Sequence, residues 1–182
     1  MRKILQIITV LTVVGFISGV ALVFVYRYTA PLILENQIKE TEDAIFKVFP
    51  EGTSFEKSKK IKNVFLVKNK SGKSLGYAFT AEGNGYQGRI KLMAGVKPDL
   101  KTLSGIEILE SQETPGLGQE ITTKKFKDQF RKLFSIPKIL SIKGKKPVGT
   151  NQIEAITGAT ISSKAVVGIL NNKLEILRNE LK

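Results

Sequence analysis

From Ile4 to Tyr26 the chain carries no charged residue, and Gln6, Thr9, Thr12 and Ser18 are its clearly polar side chains in that stretch. Wound as a helix it would be about 34 Å long, enough to cross the hydrocarbon core of a bilayer. The reading this imposes is a transmembrane helix, with residues 1–27 as an anchor. A cleaved signal peptide competes, because Gly19-Val20-Ala21 has the small-x-small look of a cleavage site. The apolar run nevertheless continues through Leu22-Val23-Phe24-Val25, which makes it longer than a signal core. Arg2, Lys3 and the amino terminus lie on one flank, Arg27 and Lys39 on the other. The count of positive charges tilts only slightly toward a cytoplasmic N-terminus and leaves orientation open.

Beyond the anchor, the spacing Leu34, Ile38, Thr41, Ile45, Val48 predicts a membrane-proximal helix over residues 28–52. Pro31 suits its first turn, and Pro50-Glu51-Gly52 stops it. Its narrow apolar stripe can pack on the domain that follows or on a neighbouring protein. Residues 53–182 read as one α+β domain with a mainly antiparallel sheet. Strands are predicted at 64–67, 75–79, 89–96, 103–109 and 138–142, with hairpin composition at Asn69-Lys70-Ser71-Gly72-Lys73. Phe126, Phe130 and Leu133 space a helix over 121–134, and a last helix runs from about Ser162 to Leu181.

The chain has no Cys and no His. Thiolate or imidazole ligation of zinc, haem or iron–sulfur clusters is therefore excluded, as are Ser-His and Cys-His nucleophilic pairs. Any redox chemistry must come from a borrowed cofactor. Twenty-nine Lys and Arg against sixteen Asp and Glu leave a net charge of +13, dense in residues 57–73 and 124–146. Such patches attract anionic lipid, nucleic acid or an acidic protein, or they simply keep a solvated face soluble.

Two stretches carry more specific information. Residues 153–167 read I-E-A-I-T-G-A-T-I-S-S-K-A-V-V, small and hydroxylated residues handing over to an apolar helical period. Thr160 falls at that hand-over, where unpaired N–H groups and the helix dipole favour an anion by about 0.3–1 kcal/mol. Hydroxyls at Thr160, Ser162 and Ser163 and the Lys164 ammonium offer a phosphate further donors. Plain helix capping explains the same residues. The other stretch, Gln112-Glu113-Thr114-Pro115-Gly116-Leu117-Gly118, is a rigid loop holding one leucine between glycines. Gly83-Asn84-Gly85-Tyr86-Gln87-Gly88 marks a tight turn or a close backbone approach.

T-G-A-T-I-S-S resembles the flavinylation motif of a family of membrane-anchored flavoproteins: the G subunit of the Rnf electron-transport complex and its relative, the C subunit of the sodium-pumping NADH:quinone oxidoreductase. E-T-P-G-L-G and G-Y-x-G are further signatures of that family, and with the anchor the resemblance covers nearly the whole chain. It implies FMN held covalently by a phosphoester to Thr160, made by a separate flavin transferase. Thr157, Gly158, Ala159, Ser162, Ser163 and Lys164 would surround the linkage, while Glu113, Thr114, Leu117, Gly118 and Tyr86 would shape the ring site. Where the family motif begins with Asp, this chain has Glu154, which keeps the carboxylate and lengthens its reach. The compact length points to the Rnf-type protein.

The expectation is an electron-carrying subunit with no catalytic residue of its own and no metal, partnered by other membrane subunits of an Rnf-type ferredoxin:NAD complex and by membrane lipid. The resemblance puts its domain outside the cell membrane. The alternatives are the C subunit of the sodium pump, a membrane-tethered basic module without redox activity, and a flavin-dependent reductase with its own substrate. Nucleic acid is not expected, because the aromatics do not interleave with the basic runs as a stacking platform requires.

Overall fold

The computed structural model describes residues 1–181; Lys182, the end of the predicted domain, lies outside the described residues. The chain divides into two compact units, Met1–Glu40 and Thr41–Lys182. Helix α1 spans Arg2–Val48, and its N-terminal apolar part is long and apolar enough to cross a membrane, with nothing in it buried by the protein. The helix runs on without a break past Pro31, which lies inside it and not in the first-turn position its chemistry suits. A proline there removes one N–H and costs about 3 kcal/mol, while the turns on either side keep their own bonds.

In the second unit, five strands form an antiparallel sheet in the order β1-β2-β3-β4-β5: Ser54–Lys57, Val64–Lys68, Ser74–Asn84, Arg89–Val96 and Leu103–Ser111. Sequence order and spatial order coincide because each connection is a short hairpin. β1 had no signal in the sequence, being exposed and charged along most of its length. Two further strands, β6 (Leu140–Lys143) and β7 (Gln152–Ala155), pair in parallel.

The period-2 alternation of β3 and β4 supplies both faces of the sheet. Phe79, Ala81, Ile90, Leu92 and Ala94 face a core shared with Val166, Leu170, Leu174 and Leu177 of the last helix, α3 (Thr160–Glu180). Ala78 and Met93 face the other way, onto Val67 and onto Ala44, Ile45, Val48 and Phe49. The stripe predicted for the membrane-proximal helix is thus packed on the sheet by its last turns.

The helix predicted over 121–134 is much shorter. A 3-10 turn, Gly118–Thr122, precedes α2, which is only Lys124–Asp128. Thr123 between them is extended (φ −67, ψ 148), and Lys132 has φ 60. The chain leaves the helix because its backbone finds the edge of β5: Lys132 N–H donates to Leu103 O at 3.0 Å, and Leu103 N–H to Leu133 O at 2.9 Å. Phe126, Phe130 and Leu133 are buried all the same. Their spacing reports the core, not the helix.

Candidate functional site

The site is built at the N-terminus of α3. β7 delivers the chain to Ile156, and Thr157 and Gly158 turn it, with Gly158 at φ +85. Ala159 is the cap residue, and no side chain caps the helix. The first-turn N–H groups have no acceptor within the helix itself. Thr160 is the first helical residue and is half-buried, neither sealed in the core nor fully projecting. Thr157 is exposed, as are Gly158, Ile161 and Lys164 around the same turn.

The hydroxyls of Ser162 and Ser163 face inward. Ser163 Oγ donates to Ala159 O at 2.9 Å and accepts the Ile156 N–H at 3.1 Å, so it clasps the turn that presents Thr160. Ser162 Oγ donates to Glu113 Oε2 at 2.6 Å. Both serines are at most 2% exposed. They support the backbone beneath Thr160 and are not aimed at the outside of the turn.

Glu113 is 5% exposed, and its second oxygen, Oε1, accepts the N–H of Tyr86 at 2.7 Å and of Gln87 at 3.1 Å. Burial by itself would raise the pKa of this carboxyl. The hydrogen bonds from Ser162, Gln87, Tyr86 and Gly88 outweigh it and hold the group below its ordinary value of 4.5. Glu113 is therefore an ionised anchor joining three stretches that are remote in sequence. The glycines beside it make room: a Cβ on Gly118 would strike its carboxylate and lie 2.7 Å from Ser162 Oγ, and one on Gly85 would strike Oε1.

The loop that Glu113 begins lies against the turn before α3. A Cβ on Gly158 would lie 3.6 Å from Leu117 Cδ2. Leu117 is 52% exposed and Tyr86 68%, both large side chains left uncovered next to the anchored segments. Thr114 is exposed as well, and its carbonyl accepts the N–H of Leu117 and of Gln119, which keeps the loop rigid. On the β7 side, a cavity of about 300 Å³ reaches Thr157 between Phe126, Gln129 and Glu154. Gln129 holds that wall by pairing with the backbone of Glu154, accepting its N–H at 2.7 Å and donating to its carbonyl at 3.2 Å. Nothing in the sequence singled Gln129 out.

These residues fit the phosphate end of FMN. A partly accessible threonine stands at an uncapped helix start beside the Lys164 cation, and uncovered apolar side chains lie close by. The structure thus brings together Thr157 to Lys164, the Glu113 to Gly118 loop and Tyr86. Ala159, Ser162, Ser163, Glu113 and Gly118 are buried among them, and the rest reach solvent wholly or in part.

Residues 85–175 match the FMN-binding domain model. The chain is 34% identical to the G subunit of the proton-translocating ferredoxin:NAD(+) oxidoreductase complex of Clostridium ljungdahlii, over 86% of this chain and 82% of that one. It is 29% identical to the G subunit of the ion-translocating oxidoreductase complex of Methanosarcina acetivorans, over 96% and 94% of the two chains. The crystal structure of the C subunit of the Na(+)-translocating NADH-quinone reductase from Parabacteroides distasonis superposes with a TM-score of 0.58 at 29% identity, over 65% of this chain and 62% of that one. The chain belongs to the FMN-binding domain family, together with the G subunits of ion-translocating oxidoreductase complexes.

Proposed function

We propose that the chain is the electron-transfer subunit of a membrane ion-translocating, Rnf-type ferredoxin:NAD oxidoreductase, carrying FMN through a phosphoester between its phosphate and Thr160 Oγ1. The observation that carries this reading is the placement of Thr160, half-buried at the first position of α3 with no side-chain cap. FMN, when bound, supplies the electron-carrying chemistry that a chain without Cys or His lacks. The chain's own residues hold and orient it: the α3 N-terminus and Lys164 balance phosphate charge, Ser163 fixes the turn, and Glu113 locks the loop bearing Thr114 and Leu117. Leu117 and Tyr86 cover apolar surface on the ring side. A covalent tether suits a carrier, because the cofactor cannot leave between transfers.

The partners in this reading are the other membrane subunits of the complex and the flavin transferase that makes the ester. Residues 1–27 would anchor the chain in the cell membrane, 28–52 would be the membrane-proximal helix, and 53–182 the flavin domain on the extracytoplasmic side. Identity with the C subunit of the sodium pump has less support, since the likeness covers 62% of that structure against 82% of the Clostridium protein.

Co-expression with a flavin transferase followed by mass spectrometry tests the reading. The peptide holding Thr160 is expected to gain one FMN phosphoester, and Thr160→Ala to lose it. Retention of covalent yellow chromophore in that variant overturns the assignment.

A further inference from the structure

β3 outruns the strand beside it. Its register with β2 ends at Val64↔Phe79, while its pairing with β4 continues to Asn84↔Arg89. Residues 80–84 are therefore bonded to a neighbouring strand along one edge. Successive peptide groups of a strand point to opposite edges. The Thr80 N–H donates to Asn63 O at 3.1 Å on the β2 side, which fixes the parity. The N–H and C=O groups of Glu82 and Asn84 point the same way, where β2 has already ended.

Those groups face a groove of about 570 Å³ whose opposite wall is α3, presenting Ile169, Asn172, Lys173 and Ile176. Ile176 is 46% exposed. Gly83 lets the helix approach, since a Cβ there would lie 2.7 Å from Ile169 Cγ1. Open backbone groups on one side and aliphatic side chains on the other are the two things an added strand requires.

Charge narrows the kind of strand. Glu82 is paired with Arg89, and Lys91 with Glu110. Lys173 on the groove wall and the exposed Lys60 and Lys62 next to Asn63 have no ion pair among the described residues. We propose that this groove docks an extended acidic segment of a partner protein, which adds to β3 as a strand continuing the line of β2. Its backbone pairs with Glu82 and Asn84, its apolar side chains rest on Ile169 and Ile176, and its carboxylates meet Lys60, Lys62 and Lys173. The lining residues of α3 begin at Ala165, past the Thr160 turn, so the groove and the flavin site can be tested apart.

The test uses the full-length chain in uncharged detergent and a fluorescent peptide of alternating valine and glutamate as probe. A twin peptide, N-methylated at every second residue, keeps the charge and loses the strand-forming N–H groups. The probe is expected to bind, to slow hydrogen exchange of the Glu82 and Asn84 amides by about tenfold or more, and to bind at least about tenfold more tightly than its twin. Lys62→Glu and Lys173→Glu, both at exposed or half-buried positions, are expected to weaken it without moving the melting temperature. Failure to bind, equal binding of the twin, or binding that leaves the two amides unprotected overturns the proposal. Equal binding would mean that the lysines attract any polyanion, a lipid surface included. Because the readout needs no flavin, loss of the covalent-FMN reading would leave it unaffected.

Discussion

Ser162 Oγ donates to Glu113 Oε2 at 2.6 Å across 49 residues of sequence, and this bond fastens the first turn of α3 to the loop that follows β5. The other carboxylate oxygen secures the β3–β4 turn through the N–H groups of Tyr86 and Gln87. A single buried carboxylate thereby ties all three motifs together.

Replacing Glu113 should therefore separate fold from charge. Glu113→Ala leaves buried donors without acceptors, each at about 1–3 kcal/mol, and should lower the melting temperature sharply. Glu113→Gln keeps one oxygen for Tyr86 and Gln87 and turns an N–H₂ toward Ser162 Oγ, so it should cost much less. Because the native carboxyl sits below 4.5, the stability it contributes is present in full above about that pH and is lost as pH falls through its depressed value. Denaturant melts between pH 7 and 3 should show the gap between the native chain and Glu113→Gln closing in acid. A gap independent of pH contradicts the ionised anchor.

Three glycines near this anchor are constrained for two different reasons. At Gly118 and Gly85 a methyl group would collide with Glu113, an overpacking cost of about 1–3 kcal/mol. At Gly158 a Cβ would make only an ordinary contact with Leu117, but φ is +85. Gly158→Ala should cost about 1–2 kcal/mol from backbone strain alone, and Gly158→Asn less, since Asn tolerates the left-handed region. Thermal melts of Gly158→Ala, Gly158→Asn and Gly118→Ala check the split: Asn should be the mildest of the three.

Much of this architecture was legible in the sequence. Strands β2 to β5 show either apolar runs or period-2 alternation bounded by turn residues, and the apolar N-terminal helix declares itself by length. The hand-over at Thr160 was visible from small residues meeting a helical period. Side-chain direction was not. Ser162 and Ser163 looked like phosphate donors because nothing local reveals that Glu113 and the Ile156 N–H claim them. The 121–134 segment looked helical because Phe126, Phe130 and Leu133 share a core, whereas its backbone is captured by β5. Gln129 and Asn171 imitate strand partners for Glu154 and for Ile139, whose N–H and C=O both bond to the Asn171 amide at 2.9 Å. Such long-range backbone pairing leaves no periodic trace.

The last turns of α1 belong energetically to the sheet domain. Ala44, Ile45, Val48 and Phe49 are at most 5% exposed and close the face bearing Ala78 and Met93. Burying Ile, Val and Phe contributes roughly 1.5–3 kcal/mol each. A chain starting at Thr41 should remain soluble without detergent and melt cooperatively. One starting at Thr53 should expose that face, aggregate or bind a hydrophobic dye, and melt well below the longer form. Equal melting of the two would show that the helix end contributes nothing.

The hydroxyls around the helix start also predict where the proposed ester can form when Thr160 is removed. Ser162 and Ser163 lie two and three positions after Thr160 in the sequence. They are at most 2% exposed, and both hydroxyls are held in hydrogen bonds. A transferase would have to unwind the first turn of α3, breaking the Glu113 contact to reach Ser162 and the bonds to Ala159 and Ile156 to reach Ser163. Thr160→Ser should therefore restore covalent FMN, since a serine places its oxygen at the same half-buried position. Thr160→Ala should give no ester at the neighbouring serines, and Ser162→Ala should keep the ester while lowering stability by about 1.5–3 kcal/mol through the lost bond to the charged carboxylate. Fragmentation mass spectrometry of the tryptic peptide resolves the three positions, and a phosphoester on Ser162 or Ser163 in the Thr160→Ala chain would overturn both Thr160 as the ester site and the closed turn that its hydrogen bonds imply.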